Sequence, residues 1–259
     1  DDSAAAPGSG KCAVEELPLK TPGQLTIATD DPAFDPWFSD NDPSNGKGFE
    51  SAVAYAVAKQ MGFDKDDVVW TKVPFNTSYQ PGEKEFDFDI NQISITEERA
   101  QAVDFSKPYY TAAQAIIVRA DSPLAKATTL AEFKDAQLGA QIGTTSLKAI
   151  DQIDPSKKAR VYDDTTKAAA ALENDQVDAI VADLPSAFYL TAAVLEDATI
   201  AGQFAPVTGD SEQFGLLLEK DSELTSCVDK AITSLNDDGT LAEIEAEWLS
   251  ESADAPVLQ

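Results

Sequence analysis

Three short stretches carry groups that suit a small molecule with both a carboxylate and an ammonium. In Ser94-Ile95-Thr96-Glu97-Glu98-Arg99, two hydroxyls and a guanidinium gather at the start of a short helix. A guanidinium holds a carboxylate through two parallel hydrogen bonds. Gly143-Thr144-Thr145 opens a second helix, whose first N–H groups also favour an anion. Asp183 ends an apolar run just before Leu184-Pro185 and is a natural partner for an ammonium. Phe34 and Trp37 stand in a loop broken by Pro32 and Pro36 and offer flat apolar faces. Asn91 and Gln92 can each donate and accept hydrogen bonds. Plainer readings stand beside these. Arg99 can pair at the surface with Glu97 or Glu98, Thr144 and Thr145 can cap a helix, and Asp183 can be an N-cap. Phe34, Trp37 and Phe38 can be core aromatics.

These groups must be positioned by alternating strands and helices. Residues 25–29 alternate in the β manner and run into the aromatic loop. Residues 49–61 form an amphipathic helix that Gly62 ends. Strands are expected over 68–73, 86–95, 115–119, 137–142, 160–162, 177–183 and 214–218. Helices are expected from Thr96, with Thr96 as N-cap, and over 129–133, 146–151, 165–174, 185–195, 222–236 and 239–249. The alternation predicts an α/β protein with mostly parallel sheets. In such sheets ligands bind beyond the carboxyl ends of strands, where the three stretches fall.

Composition narrows the chemistry further. The 259 residues carry 46 acidic and 19 basic side chains, a formal net charge of −27. Phosphate backbones and anionic membrane surfaces are bound by basic patches, so no nucleic-acid partner is expected. Histidine is absent, which excludes Ser-His and Cys-His catalytic pairs and histidine zinc sites. No D-x-D-x-D-G loop occurs, and no metal, cofactor or catalytic residue is expected. Cys12 and Cys227 are the only cysteines. They are either two buried thiols or one long-range disulfide, and a single potential pair in a cysteine-poor chain reads as a stapled exported protein.

Taken in order, several stretches resemble the polar amino-acid family of extracytoplasmic solute-binding proteins that serve ATP-driven (ABC) importers. They are TDDPAFDPWF (29–38), GFESAVA (48–54), SITEER (94–99), VDFSKPYY (103–110), GTT (143–145), VDAIVAD (177–183) and DDGTLAEIEAEWL (237–249). The resemblance spans residues 23–250. It implies an α/β, two-lobed periplasmic-binding-protein fold of type II, with two hinge segments near 111–114 and 209–213 and the ligand cleft between the lobes. Residues 1–20 would be a flexible N-terminal tether, 21–112 and 212–259 a discontinuous first lobe, and 113–211 the second lobe.

For the site, the resemblance implies that Arg99, Ser94 and Thr145 bind an α-carboxylate, helped by the N–H groups of Thr144 and Thr145. Asp183 and the backbone near Gln92 would bind the α-amino group, and Phe34 and Trp37 would sandwich the ligand's side chain. Asn91 and Gln92 replace residues that are often small in the family. Either Asp30 or Asp31 aligns with an aspartate at the end of the first strand. The implied ligand is a free amino acid, neutral or cationic and polar, because the matched motifs hold no second Arg or Lys for a side-chain carboxylate. The implied protein is a non-enzymatic monomer that delivers its ligand to a membrane permease. It would be extracytoplasmic, periplasmic or a cell-surface lipoprotein, with its signal segment absent from this chain. In this fold a Cys12–Cys227 bond would tie the N-terminal segment to the first lobe. The alternatives are a dehydratase-type enzyme on the same fold and a sensory ligand-binding domain.

Overall fold

The structure, a computed structural model, describes residues 10–204, 212–249 and 255–259. The chain begins with strand β1 (Leu25–Thr29), helix α1 (Phe49–Gln60), β2 (Val68–Lys72) and α2 (Phe75–Ser78). It continues through β3 (Phe88–Asp89), α3 (Glu97–Ala100), β4 (Asp104–Ala112) and β5 (Gln114–Arg119). Next come β6 (Leu138–Gln141), α4 (Thr145–Ala149), β7 (Arg160–Tyr162), α5 (Thr165–Glu173), β8 (Ala179–Asp183) and α6 (Leu184–Tyr189). It closes with β9 (Ala198–Phe204), β10 (Glu212–Leu218), α7 (Thr225–Asp237) and α8 (Thr240–Trp248). Two compact units result. One is Asp1–Tyr110 with Gln213–Trp248, the other Thr111–Glu212 with Leu249–Gln259.

The first unit is built on a sheet of order β2-β1-β3-β10-β4. β1 lies parallel to β2 and β3, while β10 runs antiparallel to β3. α1 buries Phe49, Val53, Ala54, Val57 and Ala58, the stripe that a 3.6-residue period places on one face. Its start requires Gly48. That residue has φ +94, and a Cβ there would lie 2.5 Å from the carbonyl oxygen of Trp37. Ala28, Phe75, Phe86, Ile93, Val103 and Leu217 form a core cluster beside the sheet.

The second unit has a sheet of order β7-β6-β8-β5-β9. β6 is parallel to β7 and β8, and β5 is antiparallel to β8 and β9. Both faces of β5 are covered: Ile116 and Val118 enter one core cluster, Ala115 and Ile117 the other. That is why residues 114–118 read as a continuous apolar run after Gln114.

Several expectations are corrected. The sheets are mixed, because β5 runs against β8 and β9, and β10 runs against β3. The strand expected over 86–95 is only Phe88–Asp89, because Gln92 turns the backbone into the left-handed region at φ 47. Residues 10–20, expected within a flexible tether, are folded as far as described. Cys12 is disulfide-bonded to Cys227, Leu17 is buried, and the Lys20 N–H donates to Asp87 (2.8 Å). The tail expected with the first lobe belongs to the second unit. Leu258 donates its N–H to the Gln203 carbonyl (2.8 Å) and sits in the core of that unit. The expected crossing near 209–213 lies partly outside the described residues.

Candidate functional site

In the first unit the carboxyl ends of parallel β1 and β3 lie side by side, and the candidate residues follow them. Past β1, the Asp30 carboxylate accepts the N–H of Phe75 (3.1 Å), the first residue of α2. Asp31 turns to the surface and pairs with Lys72 at 2.8 Å. The Lys72 ammonium holds the Asp31 carboxyl below its usual range. Asp30 thus turns towards α2, and Asp31 is an exposed ion-pair partner.

Arg99 is only 7% exposed, which sets aside its reading as a surface residue. Its guanidinium lies 5.4 Å from the Phe75 ring centre and 4.7 Å from that of Tyr79, and it donates to the Ser94 carbonyl (2.8 Å). Ser94 is buried and bridged to Phe214, so the backbone that anchors Arg99 is fixed to β10. The Thr96 hydroxyl accepts the Arg99 N–H (3.2 Å) and so serves as the N-cap. Phe75 and Tyr79 were missed in the sequence. Their i,i+4 spacing, which puts two aromatics on one helical face, was the available signal.

Trp37 is corrected. It is 1% exposed, with its ring 5.9 Å from Phe49 and 5.8 Å from both Tyr110 and Phe214. It belongs to an aromatic core, whereas Phe34 is half-buried. Phe34 follows Asp30 by four residues, and the Phe75 N–H donates to the Asp30 carboxylate.

Gln92 is tied to a buried acid. Its N–H donates to Glu50 Oε1 (2.7 Å), and its side-chain amide donates to Glu50 Oε2. Tyr109 gives its hydroxyl proton to the same carboxylate. Glu50 is fully buried, and burial raises its pKa from 4.5 to about 7, offset in part by Tyr109 and Gln92. The Gln92 amide thus braces the turn against Glu50. Asn91 is 6% exposed, and its Nδ2 has no hydrogen-bond partner among the described residues. Beneath this turn, burial pushes the Asp89 carboxyl well above its ordinary value. Ser78 offsets part of that shift, and the charges of Glu50 and Asp30 add to it.

In the second unit, Thr145 opens α4 directly after β6, and Asp183 ends the adjacent parallel strand β8. Both therefore stand at the carboxyl ends of adjacent parallel strands. Thr144 follows Gly143, whose φ is +74, and its hydroxyl accepts from the Leu147 N–H (3.1 Å) and donates to the Gln141 carbonyl (2.8 Å). It is the helix cap of its plainer reading. Asp183 makes no side-chain cap to α6, so its N-cap reading is not supported. Its Oδ1 instead accepts from Gln114 Nε2 (2.8 Å), whose residue pairs with Asp183 across the β5–β8 ladder. The same nitrogen donates to Glu212 Oε2 (2.6 Å), and Glu212 also accepts the Thr145 hydroxyl proton. Gln114 and Glu212 were missed because neither falls in a recognisable motif. Among the described residues, no group of three or more Cys, Asp or Glu is arranged to hold a metal ion.

The two halves have complementary chemistry. The first offers a guanidinium and aromatic faces, and the second offers carboxylates and a hydroxyl. The chain is similar to several known proteins. The L-cystine-binding protein TcyJ of Escherichia coli strain K12 is 26% identical over 234 residues, covering 89% of this chain and 84% of that protein. The ABC transporter glutamine-binding protein GlnH of Bacillus subtilis strain 168 is 27% identical over 219 residues, covering 83% and 77%. A solved ancestral arginine-binding protein bound to arginine superposes with a TM-score of 0.71 at 30% identity, covering 88% of this chain and 98% of that one. The fold is thus the two-lobed α/β fold of type II periplasmic binding proteins. Residues 25–251 match the family model of bacterial extracellular solute-binding proteins, family 3, and the chain belongs to that family.

Proposed function

We propose that this chain is a non-enzymatic receptor for a free amino acid, closing its two lobes on the ligand and delivering it to the permease of an ATP-driven importer. The observation that carries the reading is the buried Arg99, stacked on Phe75 and Tyr79 and anchored to the Ser94 carbonyl. Arg99 and Ser94 on the first unit take the α-carboxylate, joined by Thr145 from the second. Asp183 takes the α-ammonium. Each pole then belongs mainly to a different lobe, so a bound zwitterion favours the closed form by its differential contacts.

Phe34 and Phe75 face the ligand's side chain, with Asp30 and Asn91 beside them. Asp30 suits a cationic or hydrogen-bonding side chain, and the orphan Asn91 amide suits an acceptor on it. A neutral or cationic polar amino acid is the proposed class, in keeping with relatives named for arginine, glutamine and cystine. A thermal-shift panel of arginine, lysine, glutamine, cystine, glutamate and aspartate tests it, because a ligand that binds only the native state raises Tm. Stabilisation by one or more of the first four is expected. A response to glutamate or aspartate alone would overturn the side-chain class, and no response to any would overturn the receptor reading. Recovery of the ligand unchanged after incubation, by mass spectrometry, separates a receptor from a dehydratase.

A further inference from the structure

In the second unit a carboxylate of the protein itself already occupies the hydroxyl assigned to the ligand's carboxylate. Thr145 Oγ1 donates its proton to Glu212 Oε1. A threonine hydroxyl has a single proton to give. A ligand carboxylate can take that proton only if Glu212 gives it up. The position of Glu212 is fixed from its other side by the Gln114 amide. The Nε2 of Gln114 donates to Glu212 Oε2 at 2.6 Å and to Asp183 Oδ1 at 2.8 Å.

Gln114 is 1% exposed, and its Oε1 has no partner among the described residues. Both acids accept from the amide nitrogen, so the amide turns its carbonyl away from them, and the orphaned carbonyl is the consequence. An unsatisfied buried acceptor is unfavourable, and it persists here because one NH2 group serves both acids. The chain Thr145–Glu212–Gln114–Asp183 therefore ties both second-unit site residues to the first residue of β10. Glu212 is also the last residue of this stretch of the unit before the chain returns to the other at Gln213.

We propose that Glu212 is an internal competitor of the ligand, a carboxylate that holds the Thr145 hydroxyl until the ligand's α-carboxylate displaces it. Displacement exchanges one carboxylate acceptor for another, so the Thr145 contact adds little net affinity. The nearby negative charge opposes the incoming carboxylate further. Glu212 thus keeps binding weaker than the site allows and favours release, which suits a carrier that must surrender its cargo. The proposal rests on the assignment of Thr145 to the ligand carboxylate.

Calorimetric titration of L-arginine, L-glutamine and L-cystine into wild type, Glu212→Gln, Glu212→Asp, Thr145→Val and the Thr145→Val/Glu212→Gln double variant tests it. Glu212→Asp keeps the charge but shortens its reach and serves if the glutamine variant does not fold. Both substitutions at 212 should tighten binding by about three- to tenfold in the Thr145 background. The Glu212→Gln substitution should have a smaller effect in the Thr145→Val background, where only the removal of the charge remains. Weaker binding on removing Glu212 would make it an acceptor for the ligand's ammonium and overturn the proposal, as would unchanged affinity. Thr145→Val alone should bind nearly as tightly as wild type, and a double variant that binds as tightly as Glu212→Gln would remove the premise while leaving the Arg99 and Asp183 assignments intact. If none of the three amino acids binds wild type, the receptor reading falls and the proposal with it.

Discussion

Replacing Glu50 with glutamine should reverse sign in its effect across the pH scale relative to an ordinary carboxylate. Glu50 is fully buried, and its carboxylate accepts from the Gln92 N–H, the Gln92 amide and the Tyr109 hydroxyl. Burial nonetheless dominates and raises its pKa from 4.5 to about 7. A raised folded-state pKa means that the native chain binds the proton more tightly than the unfolded chain. The contribution to stability is therefore fully present below about pH 4.5 and is lost as pH rises through about 7. The shift corresponds to about 3 kcal/mol between those limits. A glutamine in this place cannot ionise. A flip of the Gln92 amide would pair the two side chains again, while the introduced amide oxygen keeps the Gln92 N–H and the Tyr109 hydroxyl as donors. Asp89, the other buried acid facing Glu50, is common to both proteins, so its own titration largely cancels between them. Urea unfolding of wild type and Glu50→Gln at pH 4.5 and pH 8 gives the difference between them at each pH. That difference should move by about 3 kcal/mol in favour of the glutamine variant at pH 8. A difference independent of pH, in two proteins with the native circular-dichroism spectrum, would refute the reasoning.

The remaining predictions are simpler. Trp37→Ala should destabilise the chain by about 3–5 kcal/mol, since it empties an aromatic core site, whereas Trp37→Phe should bind ligand with nearly wild-type affinity. Melting curves and titrations check this, and a stable Trp37→Ala that has lost ligand would restore Trp37 to the binding surface. The Cys12–Cys227 bond closes a loop with a sequence separation of 215, worth at most about 5 kcal/mol by chain entropy. A Cys12→Ser/Cys227→Ser variant should melt roughly 10 °C or more below wild type. An unchanged Tm would show that the bond contributes nothing.

The fold was legible wherever one periodicity acted over a full element. The amphipathic stripe of α1 and the alternation of β1 each needed only local rules. The two strands that escaped notice, β4 and β9, sit at sheet edges, the last positions in their strand orders. β4 carries Pro108, which a sheet tolerates at an edge but which argues against a strand when the sequence is read alone. The antiparallel course of β5 and β10 depends on long-range pairing that no local pattern encodes.

Of the proposed site residues, Arg99, Thr145 and Asp183 stood out through the joint order of their motifs, since capping or surface pairing was open to each alone. Trp37 was misassigned because a loop between prolines reads as exposed, while Phe49, Tyr110 and Phe214 enclose that ring from distant parts of the chain. The Gln92 contact with Glu50 was not legible because Glu50 lies 42 residues away, on α1. Glu212 escaped because its meaning depends on Gln114 and Thr145, neither of them near it in sequence.

The most direct test of the zwitterion clamp is calorimetric titration of the most stabilising amino acid of the panel into wild type and Arg99→Ala. Loss of one member of a desolvated charged contact costs about 2–5 kcal/mol, so affinity should fall roughly 30-fold or more in a variant that remains folded. A folded Arg99→Ala that binds the amino acid as tightly as wild type would contradict the account.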